Sequence, residues 1–133
     1  MIYKPYNLQD VYDASEQNKF KVISTFAGGG GSSTGYRLAG GKVLAVNEFV
    51  EEACNTYKEN YPETPILPGD IKELTGQHFL DAAGVKVGEI DVLDGSPPCS
   101  AFSVAGKLSH NSIETEYLDF DGNVMTRKES GKH

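Results

Sequence analysis

Four short β-rich segments alternate with helical segments along most of the chain, and this alternation limits the possible folds more than any other feature. KVISTF at 21–26 runs directly into a glycine cluster, and KVLAVNEF at 42–49 follows a short helical segment at 34–40. TPILPGDI and EIDVLDG supply two further strands, each ending near a glycine. Strands that alternate with helices form a parallel sheet with helical crossovers. We therefore expect an α/β fold.

The segment VEEACNTYKENYP predicts the best defined of the helices. Val50, Ala53, Cys54 and Tyr57 recur at positions i, i+3, i+4 and i+7, and Pro62 ends the helix. This spacing places the four side chains on one face. We expect that face to be buried and Cys54 to be an inert core side chain.

Three regions of the chain differ in pattern. Residues 1–19 are polar with scattered aromatics, and we interpret them as an N-terminal extension in which LQDVYDASEQN could form a short helix. Residues 20–106 carry the alternating strands and helices. Apolar residues thin out over residues 107–133, so we expect a mobile loop there and an incomplete domain.

Composition and charge exclude several classes of protein. No apolar run approaches the roughly 20 residues of a membrane helix, and no secretory signal is recognisable, so we expect an intracellular protein without a membrane partner. Two cysteines without metal-ligand spacing predict neither a disulfide framework nor a metal site. The net charge of −7 has the wrong sign for holding a polyanion. The chain alone should therefore bind nucleic acid poorly.

The glycine cluster FAGGGGSSTG at 26–35 indicates a ligand site at the end of the first strand. Glycines at a strand-to-helix turn permit positive φ, and the free amides at the helix start can hold a polar group. A dinucleotide fingerprint would need glycine where Ser33 or Thr34 stands, and a triphosphate loop would need lysine where Tyr36 stands. Neither ligand is favoured. A merely flexible turn is the alternative.

Acidic residues fall at the ends of the next two strands. Glu48 follows KVLAVN, 20 residues after Gly28, and Asp70 lies in PGDI. A carboxylate about 20 residues beyond a glycine turn is well placed for ribose hydroxyls, and Asp70 could accept a hydrogen bond from an adenine amino group. Either residue alone could be a solvated loop carboxylate. Together they favour an adenosyl ligand without phosphates.

The stretch GSPPCSAFS at 95–103 places a cysteine in a conformationally restricted segment after the fourth predicted strand. Pro97 and Pro98 fix their own φ and restrict the residues before them, so the backbone before Cys99 has little freedom. An inert buried side chain is the alternative for a lone cysteine. The position at a strand's carboxyl end favours a reactive thiol facing the crevice of the adenosyl ligand.

These segments together resemble the DNA cytosine-5 methyltransferase family. FAGGGG is similar to the family's first motif, VNEF and PGDI to its second and third, and SPPCS with Phe102 and Ser103 to its catalytic Pro-Cys motif. The resemblance covers about residues 21 to 107. It implies a partial Rossmann-like, S-adenosylmethionine-dependent methyltransferase fold. Residues 20–106 would be its cofactor-binding and nucleophile half, and 107–133 its catalytic-loop region.

The resemblance also implies a role for each matching residue. S-adenosylmethionine would be the cofactor and double-stranded DNA the substrate of the complete enzyme. Glu48 would bind the ribose hydroxyls, and Phe49 and Ile71 would flank the adenine that Asp70 reads. Cys99 would be the nucleophile that adds to C6 of cytosine. The remaining cofactor residues would be Phe26, Ala27, Gly28, Gly30, Gly31 and Pro97, and the substrate residues Pro98, Ser100 and Ser103.

The sequence departs from the family in ways that indicate an incomplete enzyme. The family's Glu-Asn-Val motif does not occur, and Glu59-Asn60-Tyr61 comes too early to supply it. Its Gln-x-Arg-x-Arg motif, target-recognition domain and closing helix are also missing. Ser24 stands where the first motif commonly has aspartate, and Ser100 where glutamine is common after the cysteine.

Three hypotheses remain open. The chain is the N-terminal part of a cytosine-5 methyltransferase, inactive alone; or it is the cofactor-binding subunit of a split enzyme, completed by another chain. The third hypothesis is another S-adenosylmethionine or nucleotide enzyme in which Cys99 is structural. A transfer RNA substrate is an alternative to DNA. The resemblance implies a cytoplasmic enzyme, prokaryotic or encoded by a phage.

Overall fold

The computed structural model describes residues 2–98, 113–118 and 120–129, which belong to two compact units divided after Ser96. The elements of the first unit are α1 (Leu8–Ser15), β1 (Phe20–Thr25), α2 (Gly31–Leu38), β2 (Gly41–Glu48), α3 (Glu51–Asn60), β3 (Ile66–Pro68), a 3₁₀ turn (Ile71–Glu73), α4 (Gly76–Ala83) and β4 (Val92–Gly95). The second unit contains β5 (Ile113–Leu118) and β6 (Val124–Glu129). None of the helices in the described part of the chain has the length and apolar character needed to cross a membrane.

The first unit is built on a four-stranded sheet with the order β3-β2-β1-β4. Every neighbouring pair is parallel, and helices α2 and α3 cross over between β1 and β2 and between β2 and β3. The pairing of β1 with β4 joins distant parts of the chain, since the Lys21 amide donates to the Asp91 carboxylate at 2.8 Å. The predicted α/β fold with a parallel sheet and helical crossovers is confirmed, as a partial Rossmann-like arrangement.

The core of this unit lies where the sheet meets α1 and α3. Its buried members are Val11, Val22, Ala27, Val43, Val46, Tyr57 and Tyr61. Helix α1 lies within the region interpreted as an extension, yet Val11 is fully buried and the Ser15 hydroxyl donates to the Gly41 carbonyl at 3.0 Å. Helix α1 therefore contributes to the core of the first unit.

The helix boundaries differ in detail from those predicted. Helix α2 begins three residues before the predicted start, because Gly30 at φ 105° acts as its N-cap and lets the glycine turn lead straight into the helix. In α3, Tyr57 is fully buried as expected, but Val50 is the N-cap residue and is 48% exposed. The prediction was wrong for Val50, because the helix begins one residue later and its first turn faces solvent. The helix ends at Asn60, just before Pro62.

The second unit contains an antiparallel hairpin that the sequence pattern did not predict. Strands β5 and β6 pair in regular register from Ile113 opposite Glu129 to Leu118 opposite Val124. The connection contains Gly122 at φ 83°, a conformation that tight hairpin turns need. The mobile loop expected over 107–133 thus includes regular strand structure at 113–118 and 124–129.

Candidate cofactor site

The glycine turn leaves β1 through an unusual backbone conformation. The strand ends at Thr25, and Phe26 adopts φ 53°, which costs a residue other than glycine about 1–3 kcal/mol. The Ala27 amide then donates to the Asn47 carbonyl at 3.0 Å, which fixes the turn against β2. Phe26 and Ala27 are thereby held at the carboxyl edge of the sheet, where ligands of parallel α/β sheets bind.

The glycines of this turn serve two different purposes. Gly28 has φ 60°, and a Cβ atom added there would meet no atom within 4 Å, so its backbone is open to a ligand. Gly31 is equally open. A Cβ atom on Gly30 would instead lie 3.2 Å from the rings of Tyr57 and Tyr61. Packing against these rings and a φ of 105° both favour glycine at position 30.

Glu48 lies at the end of β2 with its carboxylate directed at the glycine turn. One oxygen, Oε2, accepts from the Gly28 amide at 2.7 Å. The other, Oε1, accepts from the amides of Phe49 and Val50 at 3.1 and 3.0 Å. The side chain therefore joins the turn after β1 to the start of α3. Gly28 and Glu48, both predicted site residues, are brought into direct contact.

Asn47 was not predicted, although it holds the neighbouring strand end in place. Its side chain is buried, and Nδ2 donates to the carbonyls of Leu67 and Gly69 at 2.9 and 3.0 Å. The Gly69 amide in turn donates a hydrogen bond to the Glu48 carbonyl at 3.0 Å. A polar residue directly after the apolar run VLAV was the available signal. Asn47 fixes the position of the Pro-Gly-Asp turn beside Glu48.

Three further predicted residues lie at the ends of β2 and β3. Asp70 accepts from the Lys72 amide through Oδ1 at 2.9 Å and caps the 3₁₀ turn, while Ile71 is partly buried. Phe49 follows Glu48 and is 69% exposed, so its ring is a free apolar surface. These positions suit the roles predicted for them, which remain predictions.

Asp94, at the end of β4, forms a polar cluster that the sequence pattern did not predict. Its Oδ2 accepts from the hydroxyls of Ser24 and Ser32 at 3.0 and 3.3 Å, and its carbonyl accepts from the Thr25 hydroxyl at 3.0 Å. Burial, and then the charge and hydrogen bond of Asp94, raise the pKa of Tyr36. The cluster joins β4 to β1 and to the first turn of α2.

Cys54 and the Pro-Cys motif differ in what the structure describes. The half-buried Cys54 thiol donates to the Glu48 carbonyl at 3.4 Å, and burial followed by the charges of Glu48 and Glu51 raises its pKa. A raised pKa disfavours the reactive thiolate. Pro97 and Pro98 are exposed residues of the second unit. The predicted residues Cys99, Ser100 and Ser103 lie outside the described residues.

Comparison with known proteins identifies the family. The sequence model of the C-5 cytosine-specific DNA methylases matches residues 20–130. The chain is 45% identical over 87 residues to the type II methyltransferase M.AquIA of Picosynechococcus, an alignment covering 65% of this chain and 35% of the relative. It is 37% identical over 104 residues to M.NgoPII of Neisseria gonorrhoeae, covering 78% of this chain and 28% of the relative.

A third relative is the type II methyltransferase M.Eco47II of Escherichia coli, 37% identical over 90 residues, with 68% of this chain and 20% of the relative covered. The chain thus spans about a third or less of the length of the curated relatives it matches. The family model, in contrast, matches most of the chain, and its match begins at β1 and includes the glycine turn, Glu48 and Asp94. The chain belongs to the C-5 cytosine-specific DNA methylase family.

Proposed function

We propose that this chain forms the cofactor-binding and nucleophile part of an enzyme that transfers a methyl group from S-adenosylmethionine to C5 of cytosine in DNA. The observation that carries the proposal is the contact between the Glu48 carboxylate and the Gly28 amide at 2.7 Å. It combines a hydrogen-bond acceptor with an open stretch of backbone at the carboxyl edge of a parallel sheet. Family membership makes a methyl-donor cofactor the expected ligand of this edge.

The hydrogen bonds of Glu48 favour a neutral sugar over a phosphate. A carboxylate offers about four acceptor positions, and three are used by the amides of Gly28, Phe49 and Val50. About one position, on Oε2, is left for a hydroxyl donor. A phosphate placed there would face the negative charge of Glu48. The site therefore suits the unphosphorylated ribose of S-adenosylmethionine.

The adenine would lie one strand further along the edge. Asp70 follows β3, which lies next to β2 in the sheet. The amide of the preceding residue, Gly69, donates a hydrogen bond to the Glu48 carbonyl at 3.0 Å. The exposed Phe49 ring offers a flat apolar face, on which an adenine ring can stack. We assign the adenine amino group to the Asp70 carboxylate and the sides of the ring to Phe49 and Ile71.

Cys99 would carry the covalent chemistry. When bound, the cofactor supplies an electrophilic methyl group on its sulfonium. The Cys99 thiolate adds to C6 of cytosine and turns C4–C5 into an enamine, so that C5 becomes nucleophilic; loss of the C5 proton later expels the sulfur. A free thiol near pKa 8.5 is only a few per cent ionised at neutral pH, so the ring needs a second activating group. The target base must also leave the duplex stack, at a cost of a few kcal/mol.

Complete activity requires groups beyond those described here, either from a continuation of this polypeptide or from a complementing chain. The relatives are about three to five times as long as the segment they share with this chain, because that segment covers 35% to 20% of their length. Residues for base activation and target recognition would come from that additional segment. The complete enzyme would act in the cytoplasm of a prokaryotic cell, as part of a restriction-modification system.

Calorimetric titration with S-adenosylmethionine and S-adenosylhomocysteine tests the cofactor assignment. We expect the parent chain to bind both, and Glu48→Ala and Asp70→Ala each to weaken binding by roughly tenfold, the loss of one hydrogen bond to a charged group. Glu52→Ala is the matched control, because Glu52 is an exposed glutamate on the first turn of α3. Equal affinity in the parent and the Glu48→Ala/Asp70→Ala double variant would remove the assignment.

A further inference from the structure

Asp94 lies directly beside Ser24 in the sheet. The two residues are register partners in the parallel pairing of β1 with β4, and the Ser24 hydroxyl donates to the Asp94 carboxylate at 3.0 Å. Residue 24 is serine, where the resemblance to the family's first motif implies an aspartate. A carboxylate therefore occupies this place at the end of β1, but the neighbouring strand supplies it.

The surroundings of Asp94 provide hydrogen bonds without neutralising its charge. Its hydrogen-bonding partners are the hydroxyls of Ser24, Ser32 and Tyr36, all of which are neutral. In the part of the chain that the structure describes, the one ion pair joins Lys42 to Glu16, so Asp94 has no cationic partner there. A half-buried carboxylate in this situation is a favourable site for a cationic group of a ligand.

The order of the strands assigns a particular part of the ligand to Asp94. Along the carboxyl edge the sheet presents Asp70 after β3, Glu48 on β2, the glycine turn after β1 and Asp94 on β4. S-adenosylmethionine presents adenine, ribose and the amino-acid part in the same order. With adenine at Asp70 and ribose at Glu48, the amino-acid part reaches the end of the sheet that holds Asp94.

We propose that Asp94 is a cofactor-binding residue whose carboxylate accepts hydrogen bonds from the ammonium group of the methionine part of S-adenosylmethionine. This inference rests on the proposed function. Asp94 substitutes for the aspartate that position 24 lacks, and Ser24 and Ser32 orient its carboxylate. The Asp94 carbonyl is separately held by the Thr25 hydroxyl at 3.0 Å, so the pairing of β4 with β1 does not depend on the carboxylate.

The test compares two ligands that differ only at the amino-acid end. S-adenosylhomocysteine carries the ammonium and carboxylate groups, whereas 5′-methylthioadenosine keeps the adenine, ribose and sulfur but lacks both. In calorimetric titrations of the full chain, Asp94→Asn should weaken binding of S-adenosylhomocysteine by roughly tenfold, the loss of a charge-assisted hydrogen bond. Its affinity for 5′-methylthioadenosine should stay within about twofold of the parent, a difference of about 0.4 kcal/mol.

An exchange variant distinguishes ligand binding by the carboxylate from a purely structural role of Asp94. Ser24→Asp combined with Asp94→Ser returns a carboxylate to the first strand, and it should restore most of the S-adenosylhomocysteine affinity that Asp94→Ser alone loses. Asp81→Asn is the control, since Asp81 is exposed on α4 and pairs only with the Gln77 side chain at 2.7 Å in the described structure. Thermal unfolding of each variant reports whether it is folded.

The outcomes separate this inference from the proposed function. Unchanged binding of S-adenosylhomocysteine by Asp94→Asn would overturn the role of Asp94 and leave the cofactor site intact. Equal losses of affinity for both ligands, without rescue by the exchange variant, would show that Asp94 only stabilises the pairing of β4 with β1. This result would also overturn the inference. If the folded parent binds neither ligand, both the inference and the proposed cofactor site fail.

Discussion

The guanidinium of Arg37 lies over the ring of Tyr61, with 3.6 Å between Cζ and the ring centroid. The side chain is almost fully buried, and it donates to the Tyr57 hydroxyl at 3.1 Å and to the Thr64 hydroxyl at 2.8 Å. Arg37 thus joins α2 to the end of α3 and to the loop that follows it. A buried cation held by hydroxyls and aromatic rings gains both hydrogen bonds and cation–π attraction.

We expect Arg37→Ala to lower the free energy of unfolding by roughly 2–4 kcal/mol, because it removes a desolvated cation–π contact and two hydrogen bonds. Arg37→Lys should recover only part of this loss, since an ammonium lacks the planar fork that reaches both hydroxyls. Urea unfolding measures the difference. The control Lys58→Ala changes an exposed cation of α3, and a loss as large as that of Arg37→Ala would contradict the stabilising role of the Arg37 contacts.

The glycines of the turn should respond differently to alanine. Gly30→Ala brings a methyl group to within 3.2 Å of Tyr57 and Tyr61 and strains a φ of 105°, so we expect a loss of stability of roughly 2 kcal/mol or more. Gly28→Ala meets no neighbour and should cost only about 1 kcal/mol for its positive φ, yet weaken binding of S-adenosylhomocysteine. Chemical denaturation and calorimetry separate the two effects. A greater loss of stability at Gly28 than at Gly30 would reverse the assignment.

Cys99 should be the only thiol needed for methyl transfer. In the enzyme completed by its downstream segment, Cys99→Ser should abolish methylation while S-adenosylhomocysteine still binds, because a hydroxyl ionises far less than a thiol. A duplex containing 5-fluorocytosine should trap the parent covalently, since fluorine is not eliminated as a proton is. Denaturing gel electrophoresis detects the adduct. Cys54→Ser should still form it, and an adduct that persists in Cys99→Ser would place the nucleophile elsewhere.

Residues 1–133 alone should methylate nothing. Residues 1–133 contain no Glu-Asn-Val motif to activate the cytosine ring, and their net charge of −7 repels the phosphates of DNA. Incubation with tritiated S-adenosylmethionine and DNA of mixed sequence at low salt should give background counts. Addition of the downstream segment as a separate polypeptide should restore incorporation. Robust incorporation by the chain alone would mean that a group at 107–133, such as Glu114 or Glu116, activates the ring.

Alkaline pH should destabilise the first unit through Tyr57. Burial raises the pKa of Tyr57, although the charge of Arg37 opposes the shift. The unfolded chain releases this proton at its ordinary pKa of about 10, before the folded chain does. The stabilisation is therefore complete below about pH 10 and is lost as the pH rises through the higher folded value. Urea titrations at pH 9 to 11 should show a shallower fall for Tyr57→Phe than for the parent; an identical fall would exclude Tyr57 as the cause.

Site residues that a local sequence pattern identifies could be predicted. Site residues whose role depends on the order of the strands in the sheet could not. Glu48 and Asp70 were identified because each closes a recognisable strand, and strands of a parallel sheet end at one edge. Asp94 also lies at the end of a strand, but its role depends on β4 lying next to β1 and not next to β3. No local pattern contains that information. The role of Asn47 likewise depends on β2 lying next to β3, since its partners are Leu67 on β3 and Gly69 directly after it.

Errors in the predicted elements also have physical causes. Val50 fits the apolar spacing of α3, but it precedes the first helical turn, so the spacing does not apply to it. The β5–β6 hairpin was missed because charged residues interrupt the apolar alternation, which leaves the Asp121-Gly122 turn as the main signal.

The pairing of β1 with β4 also determines the order in which the two parts of the carboxyl edge can form during folding. Strand β1 pairs with β2 about 20 residues away in sequence, whereas Lys21 and Asp91 close a separation of 70 residues. The shorter loop closes at a lower entropic cost and forms earlier. During translation, the glycine turn and Glu48 can therefore come together while the segment bearing Cys99 has not yet been synthesised. We expect the part of the sheet formed by β1 and β2, with the glycine turn and Glu48, to form first and β4, with Asp94, to be added last.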